Sequence, residues 1–100
     1  MIKQIRKIKP KSDKFFEAIQ FARELVDFLN EKYPELKSEV YWQRFGDAQT
    51  LHFYFQYDNL ADFESKVDKL MADQDFITMN NKGMILFVDG TQSITMIQSI

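Results

Sequence analysis

The alternation of polar and apolar positions changes period along the chain, and each change marks an element. Residues 2–9, IKQIRKIK, read as a strand that places Ile2 and Ile8 on one face and Ile5 on the other. Pro10 ends it because proline lacks the ladder donor, and Ser12 or Asp13 is expected to cap a helix over residues 13–32 by accepting one of its free N–H groups. Within that helix Glu17, Gln20, Glu24, Asp27 and Glu31 return at steps of three and four, which defines a water-facing stripe. Phe15, Phe16, Ile19, Ala22, Val26 and Leu29 are expected to face a sheet, with Phe21, Leu25 and Phe28 widening the apolar surface. Tyr33-Pro34 stops the helix, since the residue before proline is pushed out of the helical region.

A hairpin follows. Residues 39–45 alternate, Gly46-Asp47-Ala48-Gln49 supplies a turn, and Leu51, Phe53, Phe55 and Tyr57 alternate with His52, Tyr54 and Gln56. A second helix is expected from the Asp58-Asn59 cap to about residue 72, with Leu60, Phe63, Val67, Leu70 and Met71 on one face and Asp62 in the position of a capping-box acid. A shorter helical segment starts at Asp73 or Gln74, runs through Phe76 and Met79, and has Gly83 as its expected C-cap. Asp89-Gly90 signals a turn before a last strand in Thr91–Ile100, while Met84–Val88 is either a strand or an extended approach to it. The order is βαββαβ with a short extra helix: an α+β, ferredoxin-like fold in one domain over residues 1–100, both main helices on one face of an antiparallel sheet. Rings fall on both faces of the hairpin, so a sheet with one core face and one wet face does not satisfy the pattern, and a homodimer is expected to cover the second face.

Composition narrows the chemistry. In 100 residues, 45% are hydrophobic and 28% charged, the profile of a globular chain; with no Cys and a single His, thiol catalysis, disulfides and multi-His metal centres are excluded. The longest wholly apolar run, Met84–Val88, is far too short to cross a bilayer, and the N-terminus lacks a signal-peptide core, so a cytoplasmic location without membrane attachment is the default. The net charge of -2 is unevenly spread: residues 1–14 carry six basic groups and one acid, the remainder seven basic groups and fourteen acids. The basic first strand reads as a solvated edge strand guarded by lysines, as a surface that meets an anionic ligand, or as a partner of the acidic stretch from Asp58 to Asp75. Nucleic acid is not an expected partner, because F53-Y-F55 lacks the basic glycine-aromatic pattern of an RNA-binding sheet.

No serine lies in G-x-S-x-G, the carboxylates form a helix stripe, and the three glycines are too scattered to cradle a phosphate. His52 is the natural candidate for acid–base chemistry, and Tyr54 shares its strand face. Trp42, His52 and Tyr54 make the candidate site: Trp42 stacks on a ligand or excludes water, His52 exchanges a proton, and Tyr54 orients a polar group by its hydroxyl. The rings of Tyr41, Trp42, Phe45, Phe53, Tyr54, Phe55 and Tyr57 suffice either to line a pocket for a small apolar or aromatic molecule or to fill the core and a dimer seam.

The element order, with W42-Q-R44, L51-H-F-Y-F-Q-Y-D58, the L60-A-D-F63 helix start and the F87-V-D-G-T91 turn, resembles the dimeric α/β-barrel group, whose members include antibiotic-biosynthesis monooxygenase-like and NIPSNAP-like domains. The resemblance spans nearly the whole chain. It implies a ferredoxin-like subunit whose sheet packs on that of a second copy, with a pocket between each sheet and its helices. It also implies a function that is either cofactor-independent, monooxygenase-like oxidation of an activated aromatic or polycyclic substrate or non-catalytic structural or small-ligand binding. Haem-degrading members use an Asn near the first strand and a helical His ligand; here Gln4 stands in the first strand and His52 lies in a strand, so no haem, and no other cofactor, is expected.

Overall fold

The computed structural model describes residues 1–100, and its elements follow β1 (Ile2–Ile8), α1 (Phe15–Lys32), β2 (Glu39–Trp42), β3 (Leu51–Tyr57), α2 (Leu60–Met71), α3 (Gln74–Met84) and β4 (Ser93–Gln98), with 3₁₀ turns at Ser12–Lys14 and Pro34–Leu36. The four strands form one antiparallel sheet in the order β2-β3-β1-β4, the ferredoxin-like arrangement. The basic strand β1 is therefore central, paired on both sides, and not the edge strand its lysines suggested. Lys3 and Lys7 project from the face opposite the helices and reach water without an edge.

One face of the sheet carries the core. Ile2, Ile8, Leu51, Phe53 and Tyr57 are buried against Ala18, Ala22, Leu25 and Leu29 of α1, Leu70 of α2 and Phe76 of α3. The acidic stripe of α1 is exposed throughout, as its period requires, but the buried line runs Phe15–Ala18–Ala22–Leu25–Leu29 and leaves Phe16 84% exposed. Ala18 and Ala22 are almost completely covered by the core, and with these two on the buried line the helical period carries Phe16 round to solvent. Neither Ser12 nor Asp13 caps this helix; both lie inside the 3₁₀ turn that leads into it. In α2, Leu70 is buried and Phe63 and Val67 are half-buried, while Leu60 and Met71 at its two ends stay exposed.

The first hairpin strand ends at Trp42, three residues short of expectation. From there Gln43 N–H bonds Thr50 C=O, Gln49 N–H returns to Gln43 C=O, and Gly46 and Gln49 adopt positive φ, so residues 43–50 curl into a tip with Phe45 at its surface. The cap of α2 forms as anticipated: Asn59 Oδ1 accepts the Asp62 N–H at 2.9 Å, and Asp62 Oδ2 accepts the Asp58 N–H at 2.8 Å. Helix α3 is longer than its sequence signal because Gly83 lies within it rather than ending it, pressed against the Phe21 ring. The stretch Met84–Val88 is neither a strand nor extended throughout: Met84 ends α3, Ile85 and Leu86 continue as a turn, and only the end of the segment is tied to the chain after β1, by Lys11 N–H to Leu86 C=O and Val88 N–H to Lys9 C=O, each 2.9 Å, and by the Pro10–Phe87 bridge. No helix is long and apolar enough to cross a membrane.

Candidate functional site

Strand register decides which side chains can meet. Trp42 pairs with Leu51 and Tyr41 with His52, so Trp42 leaves the sheet on the helix side while His52 and Tyr54 leave on the open side. The proposed trio therefore divides. Trp42 stacks on Phe15 with ring centroids 5.2 Å apart, beside a cleft of about 300 Å³ bordered by Ile19, Ala22 and Val40. Tyr54 meets Tyr41 edge-to-face at 5.4 Å, and the His52 Nε2 contacts Gln43 Oε1 at 2.9 Å, an arrangement that puts the ring proton on Nε2. Partial burial, and secondarily the charge of Lys7, lower the His52 pKa, so the imidazole is neutral at physiological pH. His52 and Tyr54 thus share the open face with Ile5 and Lys7, their cross-strand neighbours, rather than a cavity with Trp42.

A second cleft, of about 340 Å³, lies between the sheet and helices α2 and α3. Its apolar walls include Phe55 of β3, Phe63 and Val67 of α2, Phe76 of α3 and Ile94 of β4. Its polar groups come from the middle of β1: Gln4 and Arg6 lie in phase with the buried Ile2 and Ile8, joined by Tyr57 from β3 and Gln92 from the approach to β4. Tyr57 donates its hydroxyl hydrogen to Gln4 Oε1 at 3.0 Å; burial, with a smaller contribution from Asp62, pushes the phenol up to about 12, so it remains a proton donor at neutral pH. Arg6 Nη2 donates to Gln92 Oε1 at 3.2 Å and to Met84 Sδ at 3.6 Å, while its Nε is buried without a partner. Burial lowers the Arg6 pKa, and no carboxylate pairs with the guanidinium.

Sequence reasoning centred on the single histidine counted Tyr57 only as one of seven rings and Gln4 only as a departure from the haem-degrading pattern, and it missed Arg6 and Gln92 as site residues. A signal was present: in I2-K-Q4-I-R6-K-I8 the period of two puts a glutamine and an arginine on the same face as two isoleucines that must be buried. No group of three or more His, Cys, Asp or Glu residues is arranged to hold a metal ion. What the cleft offers is an apolar volume with hydrogen-bond donors concentrated at one wall.

No protein-family model matches the chain, and no curated protein matches it. Solved structures do. An uncharacterized NIPSNAP domain protein from Burkholderia xenovorans is 14% identical and aligns over 100% of this chain and 95% of its own with a TM-score of 0.80. A NIPSNAP family protein from Agrobacterium tumefaciens is 17% identical, with 99% and 85% covered and a TM-score of 0.81. An antibiotic biosynthesis monooxygenase is 15% identical, with 100% and 99% covered and a TM-score of 0.77. With its βαββαβ order, its extra helix and its antiparallel sheet, the chain has the ferredoxin-like fold of the NIPSNAP and antibiotic-biosynthesis-monooxygenase structures.

Proposed function

We propose that this protein is a cytoplasmic homodimer that takes a small apolar or aromatic molecule into the cleft between its sheet and helices α2 and α3. The observation that carries the reading is the cleft itself: about 340 Å³ with nine hydrophobic residues among twelve in its lining, and polar groups confined to Gln4, Arg6, Gln92 and the hydroxyl of Tyr57. The homodimer is supported by the open sheet face, where Ile5, Tyr41, Tyr54 and Ile97 lie with no helix over them, and by both faces of β4, where Ile94 and Ile97 are about half exposed. Soaking or titrating a library of apolar and aromatic compounds, followed by a ligand-bound structure, tests this reading. Density or shift changes centred on Phe55, Phe63 and Val67 support it, and binding confined to any other surface overturns it.

The likeness in fold to an antibiotic biosynthesis monooxygenase supports a catalytic version, in which an activated aromatic or polycyclic substrate reduces oxygen itself. A substrate methylene becomes a carbonyl with one oxygen atom, the other leaves as water, and no outside reductant is required. In that version the substrate would lie on the open sheet face rather than in the α2–α3 cleft, with His52, neutral and partly buried, taking the proton and Tyr54 beside it, while Trp42, on the helix side, would take no part. Oxygen uptake with an activated phenolic or polycyclic substrate, slowed by His52→Ala more than folding is weakened, supports catalysis. Ligand binding without oxygen uptake supports the alternative, a non-catalytic structural or small-ligand-binding dimer.

A further inference from the structure

The polar wall of the α2–α3 cleft has an imbalance of donors over acceptors. Tyr57 occupies the Gln4 carbonyl oxygen and Arg6 occupies that of Gln92, so the amide nitrogens of both glutamines keep hydrogen-bonding capacity to give. Arg6 adds its buried, unpartnered Nε. No Asp or Glu lines the cleft, and Arg6 takes part in no ion pair anywhere in the fold. The rest of the lining is aromatic or aliphatic, apart from the Tyr57 hydroxyl already committed to Gln4.

Arg6 is partly buried, its Nε is cut off from water without a partner and its Nη2 meets only neutral acceptors, an arrangement that an anion would complete. Basic groups are plentiful in β1, but Lys3 and Lys7 sit on the open face and extend into solvent; Arg6 alone faces the helices. Arginine rather than lysine at this point supplies a planar fork matched to two oxygens, and it keeps its charge despite burial.

From the surplus of donors at Arg6, Gln4 and Gln92 in an otherwise apolar cleft, we infer that the ligand of this site is a hydrophobic carboxylic acid, bound with its carboxylate on Arg6 and its hydrocarbon or ring body among Phe55, Phe63, Val67 and Ile94. The inference rests on the reading of this cleft as a ligand pocket and adds the chemical class of the occupant. In the bound state the two carboxylate oxygens accept from the guanidinium and from the Gln4 amide, whose orientation Tyr57 fixes. The first strand is then not a general basic surface; one of its cations is a recognition group and the others are solvated.

Titration calorimetry on the full chain with two matched pairs, 2-naphthoate against 2-naphthamide and dodecanoate against dodecanamide, separates charge from shape. The acid of at least one pair is expected to bind about ten-fold or more tightly than its amide, with amide-proton shifts at Gln4, Arg6 and Val67. Arg6→Met is expected to reduce acid binding about ten-fold while moving amide binding by less than about two-fold, and Arg6→Lys to retain part of the preference. Equal binding of acid and amide in the cleft overturns the carboxylate inference and leaves the pocket reading standing. Absence of binding by all four probes, or shifts confined to the Trp42 side of the sheet, overturns both. Because the acid–amide comparison is made on the unaltered protein, a failure of Arg6→Met to fold does not remove the test.

Discussion

Gly83 of α3 touches the ring of Phe21 in α1 so closely that a Cβ at position 83 would stand 2.2 Å from the Phe21 Cε1 and Cζ atoms. The glycine is kept by this approach and not by its backbone, which is ordinary helix. Phe21 in turn meets Phe87 edge-to-face at 6.0 Å, so the contact fixes α3 and the segment after it onto α1, and with them one wall of the cleft. Gly83→Ala gains helix propensity but forces the ring to move, and a net destabilisation of about 1–3 kcal/mol is expected by urea denaturation. Phe21→Leu in the Gly83→Ala background should recover part of the loss, a non-additivity that a remote effect would not produce.

Asp73 joins the end of α1 to the start of α3. Its Oδ2 accepts from the Tyr33 hydroxyl at 2.6 Å and lies 2.7 Å from the Lys32 Nζ, while Oδ1 accepts the Phe76 N–H at 3.2 Å as the α3 N-cap. Lys32, then Tyr33, hold the carboxyl down to about 2, which raises the Lys32 and Tyr33 pKa values in return. A carboxyl with a depressed folded-state pKa contributes its full stability above the unfolded value near about 4 and loses it as pH falls toward about 2. Between about pH 6 and pH 2.5 the wild type should therefore lose more stability in urea than Asp73→Asn, which keeps a capping oxygen but cannot titrate. Parallel pH curves for the two proteins would refute the assignment.

The reciprocal cap of α2 gives a smaller effect. Asn59→Ala removes the acceptor for the Asp62 N–H and should cost about 1 kcal/mol. Asp62 also accepts from Lys66 at 2.9 Å, so Asp62→Ala removes that contact together with the one to the Asp58 N–H and should cost more than Asn59→Ala in the same denaturation series.

Element order, the acidic stripe of α1 and the α2 cap were legible because each depends on neighbours within one or two turns of chain. Register was not. Trp42 and His52 lie in adjacent strands, and whether they share a face depends on which residue of β2 stands opposite His52; pairing Tyr41 there, instead of Trp42, separates the two. The rotation of α1 was hidden for a related reason, since the buried line passes through Ala18 and Ala22 and leaves out the larger Phe16. Gly83 reads as a helix end in isolation, and only the ring of Phe21, brought across from another helix, shows that it is a contact. Arg6 drew no notice among six basic residues until the sheet order placed β1 at the centre with Arg6 on the covered side.

The open face gives the last prediction. Ile5 lies at the middle of the central strand, opposite Tyr54 on one side and Thr95 on the other, with Lys3 and Lys7 two residues away on the same face. Two such faces packed about 10 Å apart would bring Ile5 near the centre of the contact, where a side chain close to the two-fold axis meets its own copy. Light scattering at micromolar concentration should then give about twice the 11.9 kDa chain mass. Ile5→Lys adds a cation between two lysines and repeats it on the facing sheet, so the dissociation constant should rise about ten-fold or more, with a steeper loss at low salt. Far-UV circular dichroism should be unchanged, because Ile5 points away from the buried cluster that holds the helices to the sheet. A wild-type monomer at these concentrations removes the dimer, and an Ile5→Lys protein that remains a dimer places the interface on another surface.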